Sequence, residues 1–100
     1  MNEEIEQYVR NHSRDFMELL CDIISIPSPT GHEQAKGEWI LNLLHQWGAA
    51  EAYRDAAGNV VYPCHVKSGE KVALYTAHMD TVFQDLQEIH IHQTGHILSA

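Results

Sequence analysis

One hundred residues suffice for one small domain or a piece of a larger one. Six basic against fourteen acidic side chains give a formal charge of −8, the wrong sign for nucleic acid or an anionic membrane surface. The Met1-Asn2-Glu3-Glu4 start lacks the basic and apolar regions of a signal peptide, and no apolar run approaches the roughly 18 residues of a membrane span, so a cytoplasmic protein is expected.

Residues 1 to 25 carry a helical pattern. Phe16, Leu19, Leu20, Ile23 and Ile24 fall at i, i+3, i+4, i+7 and i+8, which predicts one buried face. Glu3, Glu4 and Glu6 suit its N-terminal end through the macrodipole. Ile26-Pro27-Ser28-Pro29 ends it, because residues before proline are pushed out of the α region. Thr30, with Glu33 three residues on, forms the pattern of a capping box and predicts a second helix. Trp39, Ile40, Leu43, Leu44 and Trp47 mark its apolar face, and Gly48 is the expected left-handed terminator.

From Ala50 the pattern becomes that of strands. Glu51 to Arg54 and Asn59 to Val66 flank the turn Asp55-Ala56-Ala57-Gly58. Lys67-Ser68-Gly69-Glu70 is a second turn, and Lys71 to Ala77 a third strand whose unbroken apolarity predicts burial on both faces. Gln87 to His92 alternates as a strand does, Gln93-Thr94-Gly95 turns, and His96-Ile97-Leu98 returns. The fold class expected is α/β, two helices followed by a mixed sheet. Two helices leave a face or an edge of such a sheet uncovered, and Ser99-Ala100 is no natural terminus. Residues 1–100 are therefore expected to be the N-terminal portion of a single larger domain. Cys21 falls in a helix and Cys64 in a strand without CxxC spacing, which predicts free, largely buried thiols.

The chemistry-bearing stretch is Ala77-His78-Met79-Asp80-Thr81-Val82, following the apolar run Val72-Ala73-Leu74-Tyr75. On a strand, His78 and Asp80 project from the same side. A neutral imidazole is a good zinc ligand, and a neighbouring carboxylate fixes its tautomer and raises its basicity. The pair reads as half of a metal site. The bland alternatives are a surface histidine at a strand end and an Asx turn at Asp80 before Thr81. His90 and His92 share one predicted strand face and could chelate a metal with His96 across the turn. No cysteine or carboxylate completes a tetrahedral set there, so an exposed polar face is the better reading. His12, His32, His45 and His65 have no site context.

Taken together, Ile26-Pro27-Ser28-Pro29-Thr30-Gly31-His32-Glu33 and Ala77-His78-Met79-Asp80-Thr81-Val82 resemble the opening of an M20-family zinc metallopeptidase. That family includes tripeptidases, dipeptidases, carboxypeptidases and N-acyl amino acid amidohydrolases. The resemblance extends from the first helix to Ala100, and the His-x-Asp segment is its more specific motif. It implies that His78 is a metal ligand and that Asp80 is the active-site acid orienting it. It also implies a cofactor of two zinc ions, with cobalt or manganese as substitutes, and a small peptide or N-acyl amino acid as substrate. The bridging aspartate, the general-base glutamate and the other ligands would lie after Ala100. The resemblance leaves homodimerisation of a full-length protein open. Gln84 departs from relatives, which often carry proline there. The function implied is amide hydrolysis by a dinuclear exopeptidase, with a deacylase or a truncated non-catalytic product as alternatives. This chain alone is expected to be inactive.

Overall fold

The computed structural model describes residues 2–81, 90–95 and 97–99. They form three helices followed by two small antiparallel sheets, in keeping with the α/β class. The chain divides into two compact units, Met1–Ile26 with Gln87–Ala100, and Pro27–Leu86.

In the first unit the expected long helix is two helices, α1 (Glu3–Asn11) and α2 (Ser13–Ile24). Asn2 caps α1, its Oδ1 accepting the Glu4 N–H at 2.7 Å, and Glu3, Glu4 and Glu6 occupy the first turn. The break falls at Asn11-His12-Ser13, three residues of poor helix propensity. His12 leaves the helical region (φ −113°, ψ 9°). Its Nδ1 approaches the Tyr8 carbonyl at 2.8 Å, and its ring stacks on Tyr8 at 4.1 Å, with Phe16 of α2 alongside. The apolar face expected on this segment is present but not buried: Phe16 and Leu20 are exposed, and Leu19, Ile23 and Ile24 are half-buried. α2 stops where the prolines predict, with the Ser25 hydroxyl donating to the Asp22 carbonyl at 2.7 Å. The unit closes with a hairpin of β3 (His92–Thr94) and β4 (Ile97–Ser99), in which Thr94 pairs with Ile97. The return strand was expected. The outgoing strand runs through Gln93 and Thr94, which the sequence assigned to the turn, and the expected portion at 87–89 lies outside the described residues.

The second unit is built on α3 (Gln34–Gln46), β1 (Tyr53–Arg54) and β2 (Val60–Val61). The helix begins three residues later than the capping-box pattern predicts. Glu33 occupies the cap position without a side-chain cap bond; its carboxylate instead accepts the Gly31 N–H at 2.9 Å. At the other end Gly48 terminates the helix as expected, at φ 92°. Its N–H donates to the His45 carbonyl, and that of Ala49 to Leu44, the paired bonds of a Schellman motif. The His45 ring lies 2.8 Å from the Ala52 carbonyl and ties the helix end to β1.

Among the described residues the buried hydrophobics of this unit are Ala49 and Ala52, while Trp39, Ile40, Leu43 and Leu44 are half-buried and Trp47 is exposed. Lys36 is buried as well, and that burial pushes its amine down. Arg54 packs its guanidinium against α3, where a methyl added at Gly37 would lie 3.2 Å from Nε.

β1 and β2 pair antiparallel, Tyr53 with Val61 and Arg54 with Val60, around the expected turn. Both strands are shorter than predicted. Pro63 has no N–H to offer a ladder, and His65 sits in the left-handed region at φ 52°. Cys64 is correspondingly exposed rather than buried in a strand, and Cys21 is half-buried; both are free thiols.

The largest departure is at Lys71 to Ala77, which is neither a strand nor buried. Leu74 is 83% exposed and Tyr75 92%. The β propensity of these residues is real, but a strand exists only through its neighbours. Among the described residues none pairs with this run. It borders an open cleft of about 710 Å3 that is also lined by Val60, Val61 and Tyr62.

The β1–β2 turn is held by Asp55. Its Oδ1 accepts the N–H groups of Ala57 and Asn59 at 3.0 and 2.9 Å, and Oδ2 accepts the Asn59 amide at 2.9 Å. The Asn59 side chain, then the backbone amides, hold the Asp55 carboxyl below its ordinary value of 3.8. A depressed folded-state pKa contributes stability that is complete above the unfolded value and lost as pH falls through the folded one. The Ala57 and Asn59 amide resonances should therefore titrate with a midpoint below 3.8. Acid titration by NMR checks this, and a transition above 3.8 would contradict it.

Candidate functional site

The site is assembled by a proline-rich segment fixed in the second unit. Pro27 and Pro29 restrict the chain on either side of Ser28. The chain then turns back, with His32 N–H donating to the Pro29 carbonyl at 2.8 Å. Gly31 stands third in this turn at φ 88°, the conformation a type II turn demands there. Ser28 and Pro29 lie beside residues 79–81, some fifty positions later in sequence. Thr81 N–H donates to the Ser28 carbonyl at 2.9 Å, and Pro29 and Thr81 form a parallel bridge. The Ser28 hydroxyl, wholly buried, donates to the Met79 carbonyl at 2.8 Å.

That register brings Thr30 to Asp80 and Asp80 to His78. Thr30 Oγ1 donates to Asp80 Oδ2 at 2.6 Å. His78 Nδ1 lies 3.1 Å from Asp80 Oδ1 and 3.0 Å from the Asp80 backbone carbonyl. Both neighbours of Nδ1 are acceptors, so Nδ1 carries the proton in the neutral ring and Nε2 holds the lone pair. The His78 side chain is 85% exposed and that of Asp80 34%. The hydrogen bond from Thr30, with the charge of His78 adding to it, holds the Asp80 carboxyl below its ordinary range against the opposing effect of desolvation. The carboxylate is thus fully engaged. The atom left available for an electrophile is the imidazole nitrogen.

His78 and Asp80 are therefore in contact as the sequence pattern suggested, though on a loop and not at the end of a strand. The donor set fits one corner of a zinc coordination sphere: a neutral imidazole whose other nitrogen is bound to a carboxylate. Among the described residues no three His, Cys, Asp or Glu side chains converge on one point. His90 and His92 are exposed, His92 on β3 and His90 ahead of it, and His96 lies outside the described residues. Two members of the site were not read from the sequence. Thr30 was assigned to a helix cap, and Ser28 had no role. The signal available was the geometry of Pro-Ser-Pro-Thr-Gly itself: two prolines and a positive-φ glycine pre-form an extended segment with an abrupt turn, a shape suited to docking.

No family model matches the chain, and no solved structure matches it. Among curated proteins it is 33% identical, over 76 residues, to the Bacillus subtilis (strain 168) protein named Putative aminopeptidase YhfE. That alignment takes in 76% of the chain and 22% of the relative. It is 37% identical, over 67 residues, to the Pyrococcus abyssi (strain GE5 / Orsay) protein named Putative LysW-lysine/LysW-ornithine hydrolase. Here 66% of the chain and 19% of the relative align. The chain spans about a fifth of the length of these two relatives. Both bear the names of hydrolases. No helix among the described residues is long and apolar enough to cross a membrane.

Replacing the wholly buried Ser28 by alanine removes the one side-chain donor that the Met79 carbonyl has among the described residues. The expected loss is about 1–3 kcal/mol of stability, since the carbonyl is left without its partner. Urea denaturation of wild type and Ser28→Ala measures it. A difference under ~0.5 kcal/mol, the range of neutral surface changes, would mean that this bond does not hold the two segments together.

Proposed function

We propose that this chain is the N-terminal portion of the catalytic domain of a metal-dependent amide hydrolase of the M20 type, acting on small peptides. The observation that carries the reading is the His78–Asp80 pair: Nδ1 held by a carboxylate and by a carbonyl, Nε2 bare and exposed. The aminopeptidase name of the Bacillus relative supports the same reaction class. In this reading His78 is a metal ligand through Nε2, and Asp80 orients it and increases its electron donation. The metal, zinc with cobalt or manganese as substitutes, would when bound polarise the scissile carbonyl and lower the pKa of the attacking water. The second ion expected for this type has no ligand assigned among the described residues. A cytoplasmic location belongs to the same proposal, supported by the two free thiols.

The Pyrococcus relative's name, a hydrolase of LysW-lysine and LysW-ornithine, favours a second reading, in which the amide cleaved is that of an N-acylated amino acid. The pair would serve either substrate in the same way, because it acts on the metal and not on the group released.

In a full-length protein, His78→Ala should abolish tight metal binding at its position and with it hydrolysis. Asp80→Ala should be milder, lowering metal affinity about 10–100-fold. The 100-residue chain alone should hydrolyse no peptide, since a catalytic zinc generally needs three protein ligands. Zinc calorimetry and peptidase assays, with an N-acyl amino acid in a parallel assay, check these outcomes. Undiminished turnover in His78→Ala would sink the proposal.

A further inference from the structure

The geometry points to Thr30 as a positioning residue that determines which nitrogen of His78 is bare. Among the described residues its hydroxyl has one partner, Asp80 Oδ2, at 2.6 Å. The obvious alternative duty, capping α3, is not performed: the helix starts at Gln34, with Glu33 at the cap position. The hydroxyl is carried by a different stretch of chain from the pair it serves. The bridge between Pro29 and Thr81 and the bond from the Ser28 hydroxyl to Met79 fix the register that brings it there.

A carboxylate held at one oxygen pivots about its side-chain torsions; one held at both does not. With Oδ2 bound to Thr30, Oδ1 stays 3.1 Å from His78 Nδ1. Without Thr30 the carboxylate is free to turn away, and Nδ1 keeps only the Asp80 backbone carbonyl. The imidazole is highly exposed and packs against little that would hold its orientation. It then exchanges more freely between the Nδ1–H and Nε2–H forms, and only the first leaves Nε2 open to an electrophile. This rests on the reading of His78 as a donor through Nε2, but it is a statement about the proton and can be tested with no metal present.

The test is the 15N spectrum of the histidine rings in the labelled chain at neutral pH, without added metal. His78 is identified by its loss in His78→Gln, and the backbone amide spectrum reports the fold. Wild type should show His78 mainly as Nδ1–H. Thr30→Val and Thr30→Ala should lower the ratio of Nδ1–H to Nε2–H roughly fivefold, the size of one hydrogen bond's net contribution. Thr30→Ser should restore it. An unchanged ratio in the hydroxyl-free variants would overturn the inference. So would a serine variant that behaves like valine, or a wild type dominated by Nε2–H. Loss of the native amide pattern in both hydroxyl-free variants would overturn it in favour of a purely structural Thr30. These results separate from those of the preceding proposal. Metal binding that ignores His78 leaves the tautomer ratio standing, and an unchanged ratio leaves His78 free to be a ligand.

Discussion

One carboxylate organises this site. Asp80 accepts from Thr30 with one oxygen and from His78 with the other, so a single side chain joins a loop near residue 30 to an imidazole near residue 80. Hydrogen bonds to an ionised acceptor are roughly twice as strong as neutral ones. They also depend on direction, which apolar contacts do not. What the arrangement supplies is orientation.

Orientation matters here because packing among the described residues does not provide it. Among the described residues, the buried hydrophobics of the Pro27–Leu86 unit are two alanines. Its larger described apolar side chains are half-buried or exposed, and the segment leading into His78 is open to solvent. The position of the pair is set instead by polar contacts between distant segments: Ser28 with Met79, Ser28 with Thr81, Thr30 with Asp80. Ser28 is wholly buried although it is polar, and the Met79 carbonyl that its hydroxyl serves explains why that burial is tolerated.

The parts of the molecule legible in the sequence are those governed by nearby residues. Gly48 ends α3 because only glycine is at ease at its φ of 92°. Asp55 to Gly58 turns because an aspartate can bond the amides two and four residues on. Proline ends α2 and marks the start of the docking segment. His78 and Asp80 were legible as a pair because a single residue separates them. What escaped depended on partners far along the chain. Thr30 has the local pattern of a helix cap, and only the presence of Asp80 fifty residues away diverts its hydroxyl. Lys71 to Ala77 has the composition of a central strand, but composition cannot say whether a neighbour is there to complete the ladder. At His12 the long apolar periodicity continued across a break that the local propensities of three residues produced.

The exposed run has a colloidal consequence. Val72-Ala73-Leu74-Tyr75-Thr76-Ala77 is six residues with no charge, proline or glycine, rich in β-forming side chains and exposed to water. Segments of this kind template the stacking of identical copies into cross-β assemblies. Natural sequences restrain them with charges at their ends. Here Glu70 and Lys71 stand before the run, while the guard on the far side is Asp80, two residues beyond His78. The carboxylate that holds the imidazole is thus also the charge nearest the far end of the run. A variant that neutralises it leaves that end without a guard.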